Sequence, residues 1–429
     1  MKKAYVIAVT GSGGKTTFIE QMAETMFGQG KRTAVMTTTH MRLPDRHNAV
    51  GKTPKEAAGI LKREGIVYFG SYADTPGKMT FPGQEAYEAL CQEADFVLVE
   101  ADGSRGMPMK VPDWNREPVI PLNTDGIITV FGLSALGRPL GEVCQRWELS
   151  RAYYPGTDDT LAVSWDLASA ILEKAYQKPL AFRFPQALQT ILLNQADTKK
   201  RRIQAGQMQY RLNENGCDCR IVQLRPVRIA VIYLASGFGK RFGKNKLLED
   251  INGKPMYRHS LEHFLDWQEE QAKKIRNAKK EYGGQTLTVE VIVVTQYAEI
   301  FDFCRAHNIS CLDNPNAAQG ITSSIHRGVK AAGNADYYLF SVADQPWLKK
   351  NTIQNFAGEF LEQSDSYSIA CLCTDGQRKN PTIFHRRWRQ QLLELTGDKG
   401  GSQIIRNHPD EVLEIAADEK ELTDVDYPF

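Results

Sequence analysis

Short apolar runs alternate with amphipathic stretches throughout this chain of 429 residues, and the alternation restarts near its middle. The pattern is typical of βα units around a mainly parallel sheet, and it disfavours a β-sandwich or a helix bundle. The restart comes at Arg228 to Leu234, directly after Leu224-Arg225-Pro226. Because one hydrophobic core rarely serves so long a chain, we predict two α/β domains, residues 1–225 and 227–429.

Composition narrows the class of partner. Hydrophobic residues make up 42% and charged residues 24%, values typical of a globular protein. A formal net charge of +2 provides no bulk field for nucleic acid or an anionic membrane, so we expect neither partner. The N-terminal residues do not resemble a signal peptide, and no apolar run is long enough to span a membrane. We therefore expect a cytoplasmic protein.

Cysteine spacing leaves two interpretations of the C-x-C pairs. Cys217 with Cys219, and Cys371 with Cys373, lie in strand-like runs where alternate residues share one face. They are either core thiols or metal ligands, and the spacing favours core thiols because tetrahedral sites usually use C-x-x-C loops.

The first half contains five short runs that read as strands and one clear amphipathic helix. The predicted helix is Phe18 to Phe27, ended by Gly28 and Gly30. The segment from Gly103 to Pro121 is rich in Gly and Pro, which favours a functional loop. In the second half, the charged stretch Asp266 to Lys280 is predicted to be a solvated helical insertion. The predicted strands are Tyr5 to Val9, Thr33 to Thr37, Phe96 to Val99, Gly126 to Phe131 and Thr190 to Leu193.

A glycine-rich turn between the first strand and the first helix predicts a phosphate-binding loop. Glycines let backbone N–H groups converge on phosphate oxygens, and the helix N-terminus adds partial positive charge. A lysine adds a full charge, and a threonine hydroxyl can hold Mg²⁺. The alternative is a merely tight turn. The run lacks a glycine at position 9, and its shorter spacing resembles the phosphate loop of ATP-dependent Mur-type ligases. The residues are Gly11, Ser12, Gly13, Gly14, Lys15, Thr16 and Thr17.

Three further segments fit a nucleotide site. Glu100 and Asp102 follow a predicted strand. We expect Asp102 to hold the metal together with Thr16. The alternative is that Glu100 and Asp102 are solvated acids at the end of a strand. The run ILLNQAD resembles the N-K-x-D base-reading loop of GTPases, which makes Asn194, Gln195 and Asp197 candidates for guanine contact; an ordinary β-turn is the alternative. Either ATP or GTP thus remains open. Thr37, Thr38, Thr39 and His40 are either a sensor of the γ-phosphate or a polar strand end.

Taken together, the runs GSGGKTT, TTTH, VEADGSRGMPMK and LLNQAD resemble the YqeC-like accessory proteins linked to selenium-dependent molybdenum hydroxylases. The resemblance covers most of residues 1–225. It implies a P-loop NTPase-like domain and a molybdenum hydroxylase as client, but it does not define a reaction.

The second half opens with another strand and glycine loop, in VIYLASGFGKRFGKNKLLEDINGKPM. Backbone amides of such a loop can surround a triphosphate, while Arg241 and Lys246 neutralise the charge that grows on departing pyrophosphate. The alternative is a basic loop formed by coincidence. The candidate nucleotide-binding residues are Leu234, Ala235, Ser236, Gly237 and Gly239.

The pattern L-A-x-G-x-x-x-R-x-G-x-x-K resembles the signature of the MobA-like nucleotidyltransferases. Asp344 in YYLFSVADQP matches the family's D-Q-P motif, and TDVDYP, with Asp424 and Asp426, is similar to its D-I-D-T-P segment. The resemblance implies a Rossmann-like nucleotidyltransferase fold and Mg²⁺ held by Asp344 and Asp426.

The resemblance also implies two groups of lesser site residues. Contacts to base, ribose or acceptor are assigned to Asn314, Gln319, Gly320, Ser323 and Ser324. The acceptor pocket is assigned to Asn380, Pro381, Asp398, Lys399 and Gly400.

The resemblance further implies transfer of a nucleotide to molybdopterin cofactor. Ser236 is bulkier than the glycine that GTP-using members commonly carry at this position, which favours CTP over GTP. Two rivals remain. One is transfer to a sugar or alditol phosphate; the other is a P-loop switch or chaperone whose C-terminal domain only holds finished cofactor.

Overall fold

The computed structural model describes residues 4–237, 245–278, 286–397 and 400–425. The chain divides into two compact α/β units, Met1–Arg225 and Pro226–Phe429. Five predicted site residues lie outside the described residues, namely Gly239, Arg241, Asp398, Lys399 and Asp426. Among the described residues, no helix is both long enough and apolar enough to cross a membrane.

The N-terminal unit is built on one seven-stranded sheet in the order β12-β11-β9-β1-β7-β2-β4, with every pair parallel. Its strands are β1 Tyr5–Gly11, β2 Thr33–Thr37, β3 His40–Arg42, β4 Ile66–Tyr68, β5 Ser71–Tyr72, β6 Lys78–Thr80, β7 Phe96–Glu100, β8 Met109–Lys110, β9 Gly126–Gly132, β10 Cys144–Gln145, β11 Leu188–Asn194 and β12 Asp218–Val222. Its helices are α1 Lys15–Gly28, α2 Pro54–Glu64, α3 Gln84–Glu93, α4 Leu140–Val143, α5 Trp165–Ile171, α6 Lys178–Arg183 and α7 Lys199–Glu214.

Both faces of this sheet are covered by helices, as expected for buried parallel strands. On β1, Val6 belongs to a core that includes residues of α2 and α3. Its neighbours Ile7 and Val9 belong to a second core with Ile19 of α1. The five predicted strands are confirmed as β1, β2, β7, β9 and β11, and the predicted first helix lies within α1.

The C-terminal unit is built on a mixed seven-stranded sheet in the order β17-β16-β13-β18-β20-β19-β21. In it, β20 runs antiparallel to both of its neighbours. The strands are β13 Val227–Ala235, β14 Asp250–Ile251, β15 Lys254–Pro255, β16 Leu287–Thr295, β17 Ser310–Asp313, β18 Tyr337–Val342, β19 Ile369–Thr374, β20 Gln377–His385 and β21 Val412–Ala416. The helices are α8 Met256–Ala278, α9 Ala298–Ala306, α10 Ile321–Ala332, α11 Lys350–Gln363, α12 Arg389–Glu394 and α13 Ser402–Asn407.

The charged stretch predicted as a solvated helical insertion is helical as far as Ala278, in the second half of α8, but it is not solvated on every side. Trp267 is buried in the main core of the unit. Gln268 accepts a hydrogen bond from the N–H of Val291 in β16 at 2.7 Å. The charges occupy the outer face of a helix whose inner face packs on the sheet.

Three of the four C-x-C cysteines lie in the hydrophobic cores, whereas Cys373 is half-buried. Cys217 and Cys219 are buried in a core of the N-terminal unit, and Cys371 is buried in a core of the C-terminal unit. Burial raises the pKa of the Cys371 thiol to about 12. These cysteines therefore pack as small apolar side chains.

Candidate functional site

The turn between β1 and α1 approaches its neighbours so closely that only glycine fits at two positions. Gly13 has φ +81, and a Cβ there would lie 2.4 Å from the Cα of Gly132. Gly14 has φ +136, and a Cβ there would lie 2.4 Å from Nδ2 of Asn194. Left-handed backbone and steric contact thus both require glycine.

The first turn of α1 presents backbone donors. Gly14 is the N-cap residue, and it provides no side-chain hydrogen bond to the free N–H groups of the helix start. An anion at this helix N-terminus would accept hydrogen bonds from those N–H groups. The local geometry therefore suits a phosphate group.

Lys15 is buried beneath this loop and turned toward the protein. Its side chain is 4% exposed, and its Nζ lies 3.1 Å from Oδ1 of Asp102. The same Nζ donates to the carbonyl oxygen of Gly11 at 2.7 Å. The second oxygen of Asp102, Oδ2, accepts from Thr10 Oγ1 at 2.9 Å and from the N–H of Gly11 at 3.1 Å. Asp102 is thus a structural partner of the loop.

Thr16 contacts Glu100 rather than Asp102. Thr16 Oγ1 donates to Oε2 of Glu100 at 3.1 Å. Burial raises the pKa of Glu100, and the charge of Asp102 adds to the rise. The predicted metal pair of Thr16 and Asp102 is therefore not brought together, because Asp102 is engaged by Lys15, Thr10 and Gly11. Glu100 is the carboxylate in position to share a metal with Thr16.

Of the three predicted base-reading residues, Asn194 braces the loop of residues 11–17, whereas Gln195 and Asp197 contact residues outside it. Asn194 Nδ2 donates to the carbonyl of Gly13 at 2.7 Å, and Asn194 Oδ1 accepts from the N–H of Leu224 at 3.0 Å. Gln195 Oε1 accepts from Ser134 at 2.6 Å. Asp197 lies 3.6 Å from Arg201. Because both ends of the Asn194 amide are engaged, its contact with a guanine base is not supported.

Two of the three threonines at the end of β2, Thr37 and Thr38, donate to the backbone of neighbouring segments, whereas the buried hydroxyl of Thr39 has no hydrogen-bond partner in the part of the chain that the structure describes. Thr37 Oγ1 donates to the carbonyl of Glu100 at 2.9 Å, and Thr38 Oγ1 donates to the carbonyl of Val119 at 2.6 Å. The exposed residue His40 begins β3. These contacts favour the polar strand end over the γ-phosphate sensor.

In the C-terminal unit, parallel pairing brings the carboxyl ends of β13 and β18 together, with Leu234 opposite Val342. The residues after these ends are Ser236 and Gly237 on one side and Asp344 on the other. Ligands of open α/β sheets bind at such carboxyl ends. The sheet therefore positions the glycine loop and the D-Q-P acid at one edge.

The start of this second glycine loop is held by residues that follow β16. Gln296 Nε2 donates to the carbonyl of Ser236, and Tyr297 Oη donates to the carbonyl of Gly237, each at 2.7 Å. The hydroxyl of Ser236 donates to the carbonyl of Val294 at 3.1 Å. The Ser236 hydroxyl is thereby engaged within the sheet. The effect of Ser236 on the choice between CTP and GTP stays a prediction.

Lys246 and Asp344 form an ion pair at this edge. Lys246 Nζ lies 2.7 Å from Oδ2 of Asp344. Lys246 is 8% exposed. It begins a short turn whose cap is Asn245, which accepts from the N–H of Leu247 at 3.1 Å. A cation and an acid predicted from distant motifs are thus brought into contact.

A third charged residue, Asp424, joins this pair. Gln345 Nε2 donates to Oδ1 of Asp424 at 3.0 Å, and the N–H of Val425 donates to the carbonyl of Asp344 at 3.0 Å. Burial raises the pKa of Asp424, and the negative charge of Asp344 raises it further. The second metal acid predicted from the motif, Asp426, lies outside the described residues, and its role stays a prediction.

Asp344 and Asp424 fit a divalent cation. Burial is the larger cause of the raised pKa of Asp424, and the nearby charge of Asp344 adds to it. A cation bound between the two acids would neutralise this charge. Within the described ranges, no cluster of three or more His, Cys, Asp or Glu side chains could form a metal site. Mg²⁺ commonly uses only one or two carboxylates and completes its shell with water and phosphate oxygens.

Asn314 is an internal brace, which departs from its predicted contact with base or ribose. It is 0% exposed. Its Nδ2 donates to the hydroxyls of Ser323 at 2.9 Å and Ser324 at 2.8 Å. These bonds shape the first turn of α10, which follows Gly320 with its φ of 96°.

The remaining acceptor-side residues divide between two elements. Gln319 ends the short turn Ala317–Gln319 before α10. A Cβ on Gly400 would lie 3.3 Å from Cγ2 of Ile321 at the start of the same helix. Asn380 and Pro381 lie within β20. The described geometry therefore gathers the Gly320, Ser323 and Gly400 segments around the start of α10.

Sequence reasoning missed two sets of residues. Lys110 and Glu117 join the Asp102 cluster in the N-terminal unit. Gln345 and Glu421 hold the C-terminal segment in the other unit. Lys110 lies in the run VEADGSRGMPMK, so its position was marked, but no sequence feature revealed that it is buried.

Two α/β units, each with a glycine loop and a buried lysine after a strand, define a class of protein with two candidate nucleotide sites. Comparison with known families assigns each unit. Residues 7–148 match the family described as YqeC protein. Residues 231–412 match the family described as MobA-like NTP transferase domain. The chain therefore combines a YqeC domain and a MobA-like nucleotidyltransferase domain.

One curated relative and two solved structures illustrate the similarity. The uncharacterized protein YqeC of Escherichia coli (strain K12) is 39% identical over 152 residues, which are 34% of this chain. The match spans 59% of that relative's length. A nucleotidyl transferase from Methanothermobacter thermautotroptrophicus is 20% identical and covers 47% of this chain and 92% of its own, with a TM-score of 0.36.

The second structure is molybdopterin-guanine dinucleotide biosynthesis protein A from Archaeoglobus fulgidus. It is 13% identical and covers 47% of this chain and 93% of its own, with a TM-score of 0.34. TM-scores at this level say nothing about which nucleotide or acceptor this chain binds.

Proposed function

We propose that the C-terminal unit transfers CMP from CTP to the terminal phosphate of molybdopterin cofactor. An oxygen of the acceptor phosphate attacks the α-phosphorus of CTP. The bond between the α- and β-phosphates breaks, and pyrophosphate leaves. Because the acceptor phosphate is itself the nucleophile, the reaction needs no covalent intermediate with the enzyme.

The observation that supports this proposal most is the Lys246–Asp344 pair, at 2.7 Å, at the carboxyl edge of the sheet. Lys246, together with Arg241 from the motif, neutralises negative charge on the departing pyrophosphate. Asp344 and Asp426, which the motif assigns, would hold Mg²⁺, with Asp424 of the same segment near Asp344. The bound Mg²⁺ would neutralise charge on the triphosphate. The N–H groups of the glycine loop orient the triphosphate for in-line displacement.

The choice of CTP and of molybdopterin as acceptor depends on the MobA-like match over residues 231–412 and on the motif resemblance. Under this proposal, the product is a dinucleotide cofactor for a molybdenum hydroxylase. GTP as donor, or a sugar or alditol phosphate as acceptor, would use the same Lys246 and Asp344.

For the N-terminal unit, we propose binding of ATP or GTP at residues 11–17. Lys15 would pair with the β- and γ-phosphates. Thr16 and Glu100, in contact at 3.1 Å, would hold the accompanying Mg²⁺. This arrangement differs from the sequence prediction in using Glu100 in place of Asp102.

The test is product identification with the full chain. The protein is incubated with Mg²⁺, each of CTP, GTP, ATP and UTP, and molybdenum cofactor, sugar phosphates or alditol phosphates as acceptors. Mass spectrometry should identify a cytidine dinucleotide of the cofactor. A nucleotide-sugar product would replace the acceptor assignment, and no product with any donor or acceptor would refute nucleotidyl transfer.

A substitution at Asp344 distinguishes loss of the reaction from loss of the fold. Asp344→Asn should lower turnover at least about 100-fold, since it removes a carboxylate that would hold Mg²⁺ against the reacting phosphates. The matched control is Asp302→Asn, which removes an exposed acid paired with Arg305 at 2.9 Å in the same unit. Wild-type turnover in Asp344→Asn would remove the role assigned to this acid.

A further inference from the structure

Five charged side chains form one chain of contacts inside the N-terminal unit. Lys15 lies 3.1 Å from Asp102, and Asp102 lies 3.4 Å from Lys110. Lys110 in turn lies 3.1 Å from Glu117, which also pairs with Arg146. The cluster thus alternates cation and acid from the phosphate loop to Arg146. The proposed nucleotide site uses only its first residue, Lys15.

Because the cluster is buried, each charge in it needs a partner of opposite sign. Asp102 is 0% exposed and Lys110 is 2% exposed. A buried charge is costly unless a partner of opposite sign compensates it. Burial lowers the pKa of Lys110, while Asp102 and Glu117 oppose that shift. Two buried lysines therefore share one carboxylate, and the attraction of Asp102 for one depends on the presence of the other.

Glu117 controls how strongly Lys110 is drawn away from Asp102. Burial alone would raise the pKa of Glu117, but the N–H of Gly103 and the cations Lys110 and Arg146 outweigh it and hold the pKa low. The N–H of Gly103 donates to Glu117 Oε2 at 2.8 Å. Glu117 is therefore an ionised acid that competes with Asp102 for Lys110.

The segment that carries Lys110 also contacts the phosphate loop. Ser12 Oγ donates to the carbonyl of Pro108 at 3.0 Å. Asp102 accepts from the N–H of Gly11 at 3.1 Å. The ammonium of Lys15 is directed to Asp102 and to the carbonyl of Gly11. A phosphate that recruits Lys15 must therefore compete with Asp102 for its charge.

We propose that Asp102 is an internal competitor of the nucleotide phosphates for Lys15, and that Lys110 and Glu117 set the strength of this competition. This inference goes beyond the proposed nucleotide binding at residues 11–17 and rests on it. Lys110 neutralises Asp102 when Lys15 turns to the phosphates, and Glu117 weakens that neutralisation. Asp102, Lys110 and Glu117 are positioning residues that act through Lys15.

The competition predicts opposite signs for three substitutions in one buried cluster. Asp102→Asn frees Lys15, so nucleotide should bind at least about fivefold more tightly. Lys110→Gln leaves Asp102 with Lys15 as its cation, so nucleotide should bind about fivefold more weakly. Glu117→Gln releases Lys110 to Asp102, so nucleotide should bind about twofold to threefold more tightly.

The experiment is calorimetric titration of the full chain with Mg·ATP and with Mg·GTP, together with thermal melting without nucleotide. The control is Glu142→Gln, which removes an exposed acid paired with Arg138 at 3.3 Å in the same unit. Asp102→Asn should melt at a lower temperature than the wild type while binding nucleotide more tightly. Mere damage to the fold would lower both stability and affinity.

Two outcomes would overturn the inference, and they are distinct. If the wild type binds nucleotide but Asp102→Asn and Glu117→Gln both bind it more weakly, Asp102 supports the site and does not compete with it. If the wild type binds neither Mg·ATP nor Mg·GTP, the proposed nucleotide site fails, and this inference fails with it. Should Asp102→Asn unfold, Lys110→Gln and Glu117→Gln still decide, because their predicted effects have opposite signs.

Discussion

Lys15 and Lys246 are 231 positions apart in the chain but occupy equivalent electrostatic settings. Lys15 is 4% exposed and 3.1 Å from Asp102; Lys246 is 8% exposed and 2.7 Å from Asp344. Each aspartate follows a strand of its sheet. A buried ammonium acts more strongly on a phosphate than an exposed one, but it needs an acid to compensate it. In both units the acid therefore compensates the positive charge of the buried ammonium and holds the lysine in place.

Asp424 provides a prediction at the scale of one carboxyl group. Burial and the charge of Asp344 raise its pKa, and metal binding requires the ionised form. As the pH falls through that raised pKa, the Mg²⁺ concentration for half-maximal turnover should rise, beginning at a higher pH than for an ordinary aspartate. Asp424→Asn should raise this concentration about tenfold or more and flatten its pH dependence.

Thermal melting provides the control for Asp424. A group with a raised folded pKa contributes stability below its unfolded pKa and loses it as the pH rises through the folded pKa. At neutral pH without metal, Asp424→Asn should therefore melt at a higher temperature than the wild type. Mg²⁺ should stabilise the wild type more than the variant. Equal metal dependence of the two proteins would contradict a metal role for Asp424.

At the scale of elements, the candidate transfer site depends on two segments that are distant in the chain. The segment that contains Glu421 and Asp424 docks on the residues between β18 and α11 and on the first turn of α11. Glu421 accepts from Thr352 at 2.6 Å and from the N–H of Lys349 at 3.1 Å. Gln345 donates to the carbonyl of Leu422 at 3.2 Å. Asp424 is thereby positioned beside Asp344.

Glu421→Gln tests this docking. Burial alone would raise the pKa of Glu421, but Lys349 and Thr352 outweigh it and lower the pKa. The stability from this acid is therefore present above its unfolded pKa and is lost as the pH falls through the folded pKa. The variant should raise the Mg²⁺ requirement about threefold, while turnover at saturating Mg²⁺ changes little.

The control is Glu359→Gln, which changes an exposed residue of α11, the helix that carries Thr352. It should leave both quantities unchanged. A Glu421→Gln variant with lower turnover at every Mg²⁺ concentration would indicate a different role for the segment.

The strands of the N-terminal sheet were predictable because buried parallel strands appear as short β-branched runs, as in Thr33–Thr37. The burial of one face of α8 in its second half was not predicted, and the reason is physical. Its charges dominate the composition, while Phe264, Trp267 and Gln271 form a narrow buried stripe. Composition does not show which face a helix buries, and only the periodicity carries that signal.

The charged groups of both sites followed from motifs, but the roles of the amides did not. Asn194 and Asn314 were predicted to contact nucleotide or acceptor, and both hydrogen-bond internally. An asparagine that braces a loop and one that contacts a base have the same sequence signature, because the difference lies in which way the side chain points. Burial of Lys110 depends likewise on tertiary contacts.

At the scale of the whole molecule, each unit contains a complete set of candidate groups. Those for transfer lie within Pro226–Phe429, and those for the second nucleotide lie within Met1–Arg225. Lys15→Ala should therefore abolish nucleotide binding at residues 11–17 and leave nucleotidyl transfer within about twofold of the wild type. Asp344→Asn should abolish nucleotidyl transfer and leave nucleotide binding at residues 11–17 within about twofold of the wild type.

Both variants are assayed in the full chain, by calorimetry for nucleotide binding and by pyrophosphate release for transfer. Loss of transfer in Lys15→Ala would contradict independent sites and would indicate that the N-terminal nucleotide drives the C-terminal reaction.

The most direct measurement of nucleotidyl transfer follows both ends of one nucleotide. The full chain is incubated with Mg²⁺, molybdenum cofactor and CTP labelled at either the α- or the γ-phosphate. We predict that the α-label enters the cofactor product and that the γ-label leaves as pyrophosphate, in equal molar amounts. Release of the γ-label as inorganic phosphate, with the α-label retained in CDP, would contradict nucleotidyl transfer.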